Sequence, residues 1–184
     1  MQLKLDFWKN APSKIKRIIS IVAFFCISII VTVAGVLTPL TTEEVNILGE
    51  DLSKTQKTVE NLQEMPQISF IFGNNLMICL IGFTPLVGPA FEYYVLYSTG
   101  VVISAYSSYE QIQVNPLLLF FLLFLFPFTW LEFIAYSTAI AGSVWLTWRI
   151  INRKGRREIK NTCILISVCA VMLVAAAIIE ALLL

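Results

Sequence analysis

Apolar and polar positions alternate along this chain in blocks, and each block predicts an element. From about Ile18 to Leu37 the side chains are almost all apolar, a run of about the ~20 residues needed to cross the hydrocarbon of a bilayer. Residues 38–68 turn polar, yet Val45, Leu48, Leu52, Val59 and Leu62 recur there at alternating three- and four-residue intervals, with Thr55 at the remaining place. That spacing predicts an amphipathic helix over 42–64 with a narrow apolar seam. Thr41 opens it, Glu44 three residues on offers a capping box, and Pro66 is expected to end it.

Beyond Ile68 the chain is apolar again, but Pro85, Pro89, Pro116 and Pro127 interrupt it. Pro85 and Pro89 divide two expected spans, 69–85 and 89–106, and a polar linker leads to a third apolar stretch, 116–148. As one rod that stretch would measure about 50 Å at ~1.5 Å per residue, too long for a single crossing of ~30 Å. Pro127 therefore kinks it, or 116–126 enters the membrane as a re-entrant half-helix. A loop at 149–161 and a span at 163–184 complete the chain. The fold class expected is all-α, a single polytopic membrane helical bundle of about five spans with proline-broken helices, plus the amphipathic outer helix.

Composition agrees, at 58% hydrophobic and 14% charged residues with a mean hydropathy of +0.80. Those values exclude an ordinary soluble domain. The few charges are segregated. Lys4, Lys9, Lys14, Lys16 and Arg17 precede the first span, and Arg149, Arg153, Lys154, Arg156, Arg157 and Lys160 crowd the 149–161 loop against Glu158 alone. Residues 42–64 are acidic instead. The positive-inside bias then puts the N-terminus and the basic loop in the cytoplasm, and 38–68 and the C-terminus outside. The same bias makes orientation, rather than nucleic-acid binding, the reading of the basic blocks. Leu3, Leu5, Phe7 and Trp8 among lysines suggest that residues 1–17 lie along the inner leaflet. The apolar core of the first span exceeds that of a signal peptide, so an uncleaved anchor is expected.

Cys26, Cys79, Cys163 and Cys169 all fall within or beside apolar spans, with no paired spacing and no histidine in the chain. Reduced packing thiols are expected, and no metal or cofactor. The informative residues are polar side chains where lipid replaces water. Glu132 stands one turn past Pro127, and Asn74 and Asn75 lie inside another span. Such groups are costly and face the bundle interior with partners. Two roles are open to Glu132, Asn74 and Asn75: a polar clasp between broken helices, or a proton or cation relay. Glu92 is expected to be wetted near the inner boundary, and Glu180 to snorkel or meet a partner near the outer end. The run from Glu92 to Thr99 is similar to that from Glu132 to Thr138, each after a proline, which would suit a weak internal repeat of the kind found in transporters.

Phe72-x-Asn74-Asn75-Leu76, a Gly/Pro-rich break, a small-residue helix through Thr99-Gly100, and Pro127-x-x-x-x-Glu132-x-x-Ala135 together resemble the stage II sporulation protein M family, also called DUF95. The resemblance covers roughly Ile68 to Trp148. It implies a multispan membrane protein which, in spore formers, acts during engulfment in a complex with cell-wall hydrolases. The family usually shows Asn-Gly where this chain has Thr99-Gly100, and His-Gly where it has Phe128-Thr129. A protonation role for that histidine is therefore not open to this chain.

No nucleophile pair, HExxH, intramembrane aspartate pair or phosphate-cradling glycine loop occurs, so no enzymatic activity is expected. The leading expectation is a scaffold or accessory subunit of a membrane complex. Its seam of Val45, Leu48, Leu52, Val59 and Leu62 either rests on the bilayer or its own bundle, or docks a partner. The alternative is a small transporter or channel component using Glu132. Expected partners are the lipid bilayer and other membrane subunits or a second copy, without nucleic acid.

Overall fold

The computed structural model describes residues 12–112, 114–153 and 155–183, the Arg157 side chain excepted. The expected inner-leaflet segment with Leu3, Leu5, Phe7 and Trp8 lies outside the described residues. Seven helices and no strands occur among them: α1 Ser13–Val36, α2 Thr42–Glu60, α3 Glu64–Gly82, α4 Gly88–Tyr109, α5 Pro116–Leu123, α6 Pro127–Ile151 and α7 Gly155–Ala181.

Three of these are long and apolar enough to cross a membrane: α1, α3 and Glu158–Ala181 of α7. A fourth crossing is added if α5 and α6, bent by 87° at their break, count as one span. Counted by length and composition alone, this is one or two short of the expected five. The difference is α4, whose five tyrosines, several serines and Glu92 dilute its hydropathy. It is the central packing element, touching α1, α2, α3, α5 and α6.

α1 and α4 meet through glycine. A Cβ on Gly35 would collide with the carbonyl oxygen of Tyr97, and one on Gly100 with that of Thr32. Without side chains at these places the two backbones touch, the close approach on which helix association in lipid depends. Buried around this contact are Val36, Leu96, Phe120, Phe133, Ala139 and Leu173.

α2 carries the expected capping box. Glu44 N–H donates to Thr41 Oγ1 (3.3 Å), while the Thr41 amide and hydroxyl both donate to Glu44 Oε2 (2.8 Å each). The backbone bond, with the hydroxyl's help, holds the Glu44 carboxyl below the usual carboxylate range. Its support of the helix start is therefore complete above the ordinary carboxylate pKa and is lost as pH falls through the lowered value. The protection of the first-turn amides of α2 against hydrogen–deuterium exchange, taken relative to their intrinsic rates at each pH, is expected to fall on acidification through that window. Glu44→Gln is expected to show no such step.

Pro66 does not end α2. The helix stops at Glu60, Asn61 caps it by donating to Lys57 O (2.6 Å), and Pro66 falls in the first turn of α3. There its missing N–H costs nothing, because first-turn amides have no intrahelical acceptor. The seam of α2 faces the chain's own bundle. Val45, Leu48 and Leu52 are half-buried, Val59 is buried with Ile71 and Ala177, and only Leu62 is exposed. Gly49 gives the Tyr109 ring its place at the end of α4.

The bundle has two chemically distinct ends. Ser13, Lys14, Arg149, Arg153 and Arg156 gather at one, while α2, Glu132 and Glu180 lie together at the other.

Candidate functional site

The stretch 116–148 is broken outright rather than kinked. Pro116 starts α5 behind Asn115, whose side chain accepts from Leu117 N–H (2.9 Å), and Pro127 starts α6. A break in lipid leaves carbonyls that must find donors. Thr129 Oγ1 donates to Leu123 O and Trp130 Nε1 donates to Phe124 O, both at 2.8 Å. Trp130 also stacks on Phe25 of α1, with ring centroids 5.8 Å apart. These two contacts hold the Trp130 side chain at the break. Pro85 lies in the α3–α4 turn and Pro89 in the first turn of α4. Between them Leu86 adopts φ 70°, a left-handed conformation steadied by its amide donating to Thr147 Oγ1 (3.2 Å).

With α6 launched at Pro127, Glu132 comes round to face α3. Asn75 Nδ2 donates to Glu132 Oε1 (2.6 Å), and Tyr136 OH donates to Asn75 Oδ1 (3.0 Å). The amide is thus used at both ends, joining α3 to two successive turns of α6. Asn74 lines the same cavity but is exposed on it. The cavity measures about 380 Å³ and lies under α2, between Leu52, Gln56 and Val59 on one side and Phe70, Asn74 and Asn75 on the other, with Glu132 and Glu180 in its wall. Two carboxyls from α6 and α7 therefore share one polar chamber that α2 covers.

Glu92 is not wetted. It is fully buried, and neither carboxyl oxygen has a hydrogen-bond partner among the described residues. The room comes from Gly82, where a Cβ would strike the Glu92 carboxyl. Gly88 in turn packs on the Gly82 carbonyl, drawing the first turn of α4 into the bundle instead of leaving it at a boundary. A buried carboxyl without partners is a liability. Glu92→Met is expected to raise the thermal unfolding midpoint in detergent, by about 1 kcal/mol of stability.

Cys79 and Cys169 are buried free thiols, with Sγ atoms 3.9 and 3.7 Å from the Ala135 carbonyl. Cys26 and Cys163 are free and exposed. Among the described residues no group of three or more His, Cys, Asp or Glu side chains converges as metal ligands would.

Compared with known families, the chain matches the description Stage II sporulation protein M over residues 21–183. The chain belongs to the stage II sporulation protein M family. No curated protein and no solved structure matches it. The motifs that carry the resemblance meet in space, since Asn75 of the Asn-Asn pair bonds Glu132 of the Pro127…Glu132…Ala135 run. Where the stage II sporulation protein M pattern usually has His-Gly, this member has Phe128-Thr129. Thr129 spends its hydroxyl on closing the helix break.

Proposed function

We propose that this multispan membrane protein is a non-enzymatic scaffold or accessory subunit of a larger membrane complex, with its N-terminus cytoplasmic and its α2 end outside. The segregation of lysine and arginine supports that orientation. One observation carries the role. α2 is capped, held against α4 through Gly49 and Tyr109, and too polar to cross the bilayer, yet Glu43, Glu44, Glu50, Asp51 and Glu60 remain exposed on it. A helix fixed in place with an acidic outer face suits a partner bearing basic side chains just above the membrane. Since the seam is turned inward, docking uses this polar face rather than Val45, Leu48, Leu52 and Val59.

The protein purified from its own membranes in mild detergent is expected to retain a stoichiometric partner. Glu43→Lys with Asp51→Lys is expected to release that partner and leave membrane insertion intact. A clean monomer from the wild type, or retention unchanged by the charge reversal, sinks the proposal.

The cavity favours a second reading, a small transporter or channel component. Glu132 and Glu180 share a chamber at the α2 end while Glu92 is buried between α3 and α4. That reading requires Glu132→Gln to abolish proton- or ion-coupled flux in proteoliposomes.

A further inference from the structure

The opposite end of the bundle holds a larger cavity, of about 1030 Å³, lined by Lys14, Arg17, Arg149, Arg153 and Arg156 against the single carboxylate Glu158. The positive-inside bias accounts for cations at this end. It does not require cations from α1, α6, the α6–α7 turn and α7 to converge on one space.

Glu158 is buried and neutralises only part of this charge. It pairs with Arg17 and lies 3.8 Å from Arg149 Nε. Lys14, Arg153 and Arg156 have no ion-pair partner among the described residues. Arg149 Nε is buried and has no hydrogen-bond acceptor among the described residues. Two of the guanidiniums are held in place by indoles: Arg17 lies 5.3 Å from the Trp145 ring centre, and Arg149 lies 6.0 Å from Trp145 and 5.2 Å from Trp148. Cations fixed by stacking lose little freedom when they meet an anion. The remaining wall includes Ile164 and Leu165 of α7, so the charged space continues into an apolar one.

From this convergence we infer that the cavity is a binding site for a phosphate-bearing anion, either the headgroup of an acidic phospholipid or a soluble phosphate. Guanidinium forks match phosphate oxygens, and basic pockets between membrane helices recognise anionic headgroups. The apolar wall favours the lipid.

The test uses the full chain, purified in detergent and stripped of lipid. Binding of phosphatidylglycerol, cardiolipin and phosphatidylcholine is measured by native mass spectrometry, and protection by inorganic phosphate by thermal unfolding. Two variants are compared with the wild type: Arg153→Gln with Arg156→Gln, and Lys160→Gln, a charge beside the cavity but outside its lining. Each cavity arginine removed is expected to weaken anionic binding about fivefold, the effect of one cation near an acidic lipid surface. Lys160→Gln is expected to change it less than about twofold, because an exposed charge outside the site is screened.

Preference for the acidic lipids that the double variant loses identifies the lipid headgroup as the ligand. Protection by phosphate alone, lost in the same variant, identifies a soluble phosphate. Binding with no preference for either anion, or equal weakening by Lys160→Gln and the cavity variants, overturns the inference.

Discussion

Gly100→Ala will destabilise the protein by about 3 kcal/mol, at the upper end of what overpacking costs. A glycine-to-alanine change inside a helix ordinarily gains roughly 0.5–1 kcal/mol, because alanine loses less chain entropy. Here the sign reverses. The added Cβ would meet the Thr32 carbonyl oxygen and the Val36 amide, which are backbone atoms and cannot rotate away. α1 and α4 must then separate, and the cluster of Val36, Leu96 and Phe120 beneath them loses contact. Gly73→Ala is the control, since nothing lies within 4 Å of a Cβ at that position. It is expected to be neutral or stabilising by up to about 1 kcal/mol. Thermal unfolding of both variants in one detergent checks the pair.

Asn75→Leu will cost about 2–3 kcal/mol. The substitution keeps the volume but removes two hydrogen bonds at once. It leaves the buried Tyr136 hydroxyl without an acceptor and Glu132 Oε1 without its donor. An unmet buried polar group costs about 1–3 kcal/mol, and the polar side wall of the cavity relieves only Glu132. Tyr136→Phe removes one bond of the pair and leaves Asn75 Nδ2 on Glu132, so about 1 kcal/mol is expected from it. Unfolding in detergent, followed by tryptophan fluorescence, measures both.

Much of this site is legible in the sequence because its members are chemically out of place. A carboxylate and two carboxamides inside apolar runs have few stable surroundings, so a clasp between Glu132 and an asparagine is one of the two roles open from desolvation, and the structure selects Asn75. Tyr136 gives no such signal, since a tyrosine in an apolar run also reads as packing. Trp130 and Thr129 become donors only once the helix is known to break at 124–126, and a proline by itself does not separate a kink from an 87° bend.

Glu92 misleads for a related reason. Its burial depends on Gly82 at the end of another helix, and no local pattern around Glu92 records that space. The pairing of Arg17 with Glu158, 141 residues apart, is equally silent in one dimension. The α2 helix shows the reverse case. Its cap and seam are local and readable, whereas the choice between its own bundle and a partner is a tertiary matter, decided by the fit of Tyr109 on Gly49.

The central claim is that Glu132 holds α3 to α6 and does not carry protons. It is tested most directly by comparing Glu132→Gln with Glu132→Leu for stability and for partner retention in membranes. A glutamine oxygen still accepts from Asn75 Nδ2, so Glu132→Gln is expected to stay within about 1 kcal/mol of wild type and keep the partner. Glu132→Leu, which leaves the amide unmet, is expected to lose both. If Glu132→Gln folds as well as wild type yet abolishes proton- or ion-coupled flux in proteoliposomes, or is as damaged as Glu132→Leu, the clasp account is contradicted.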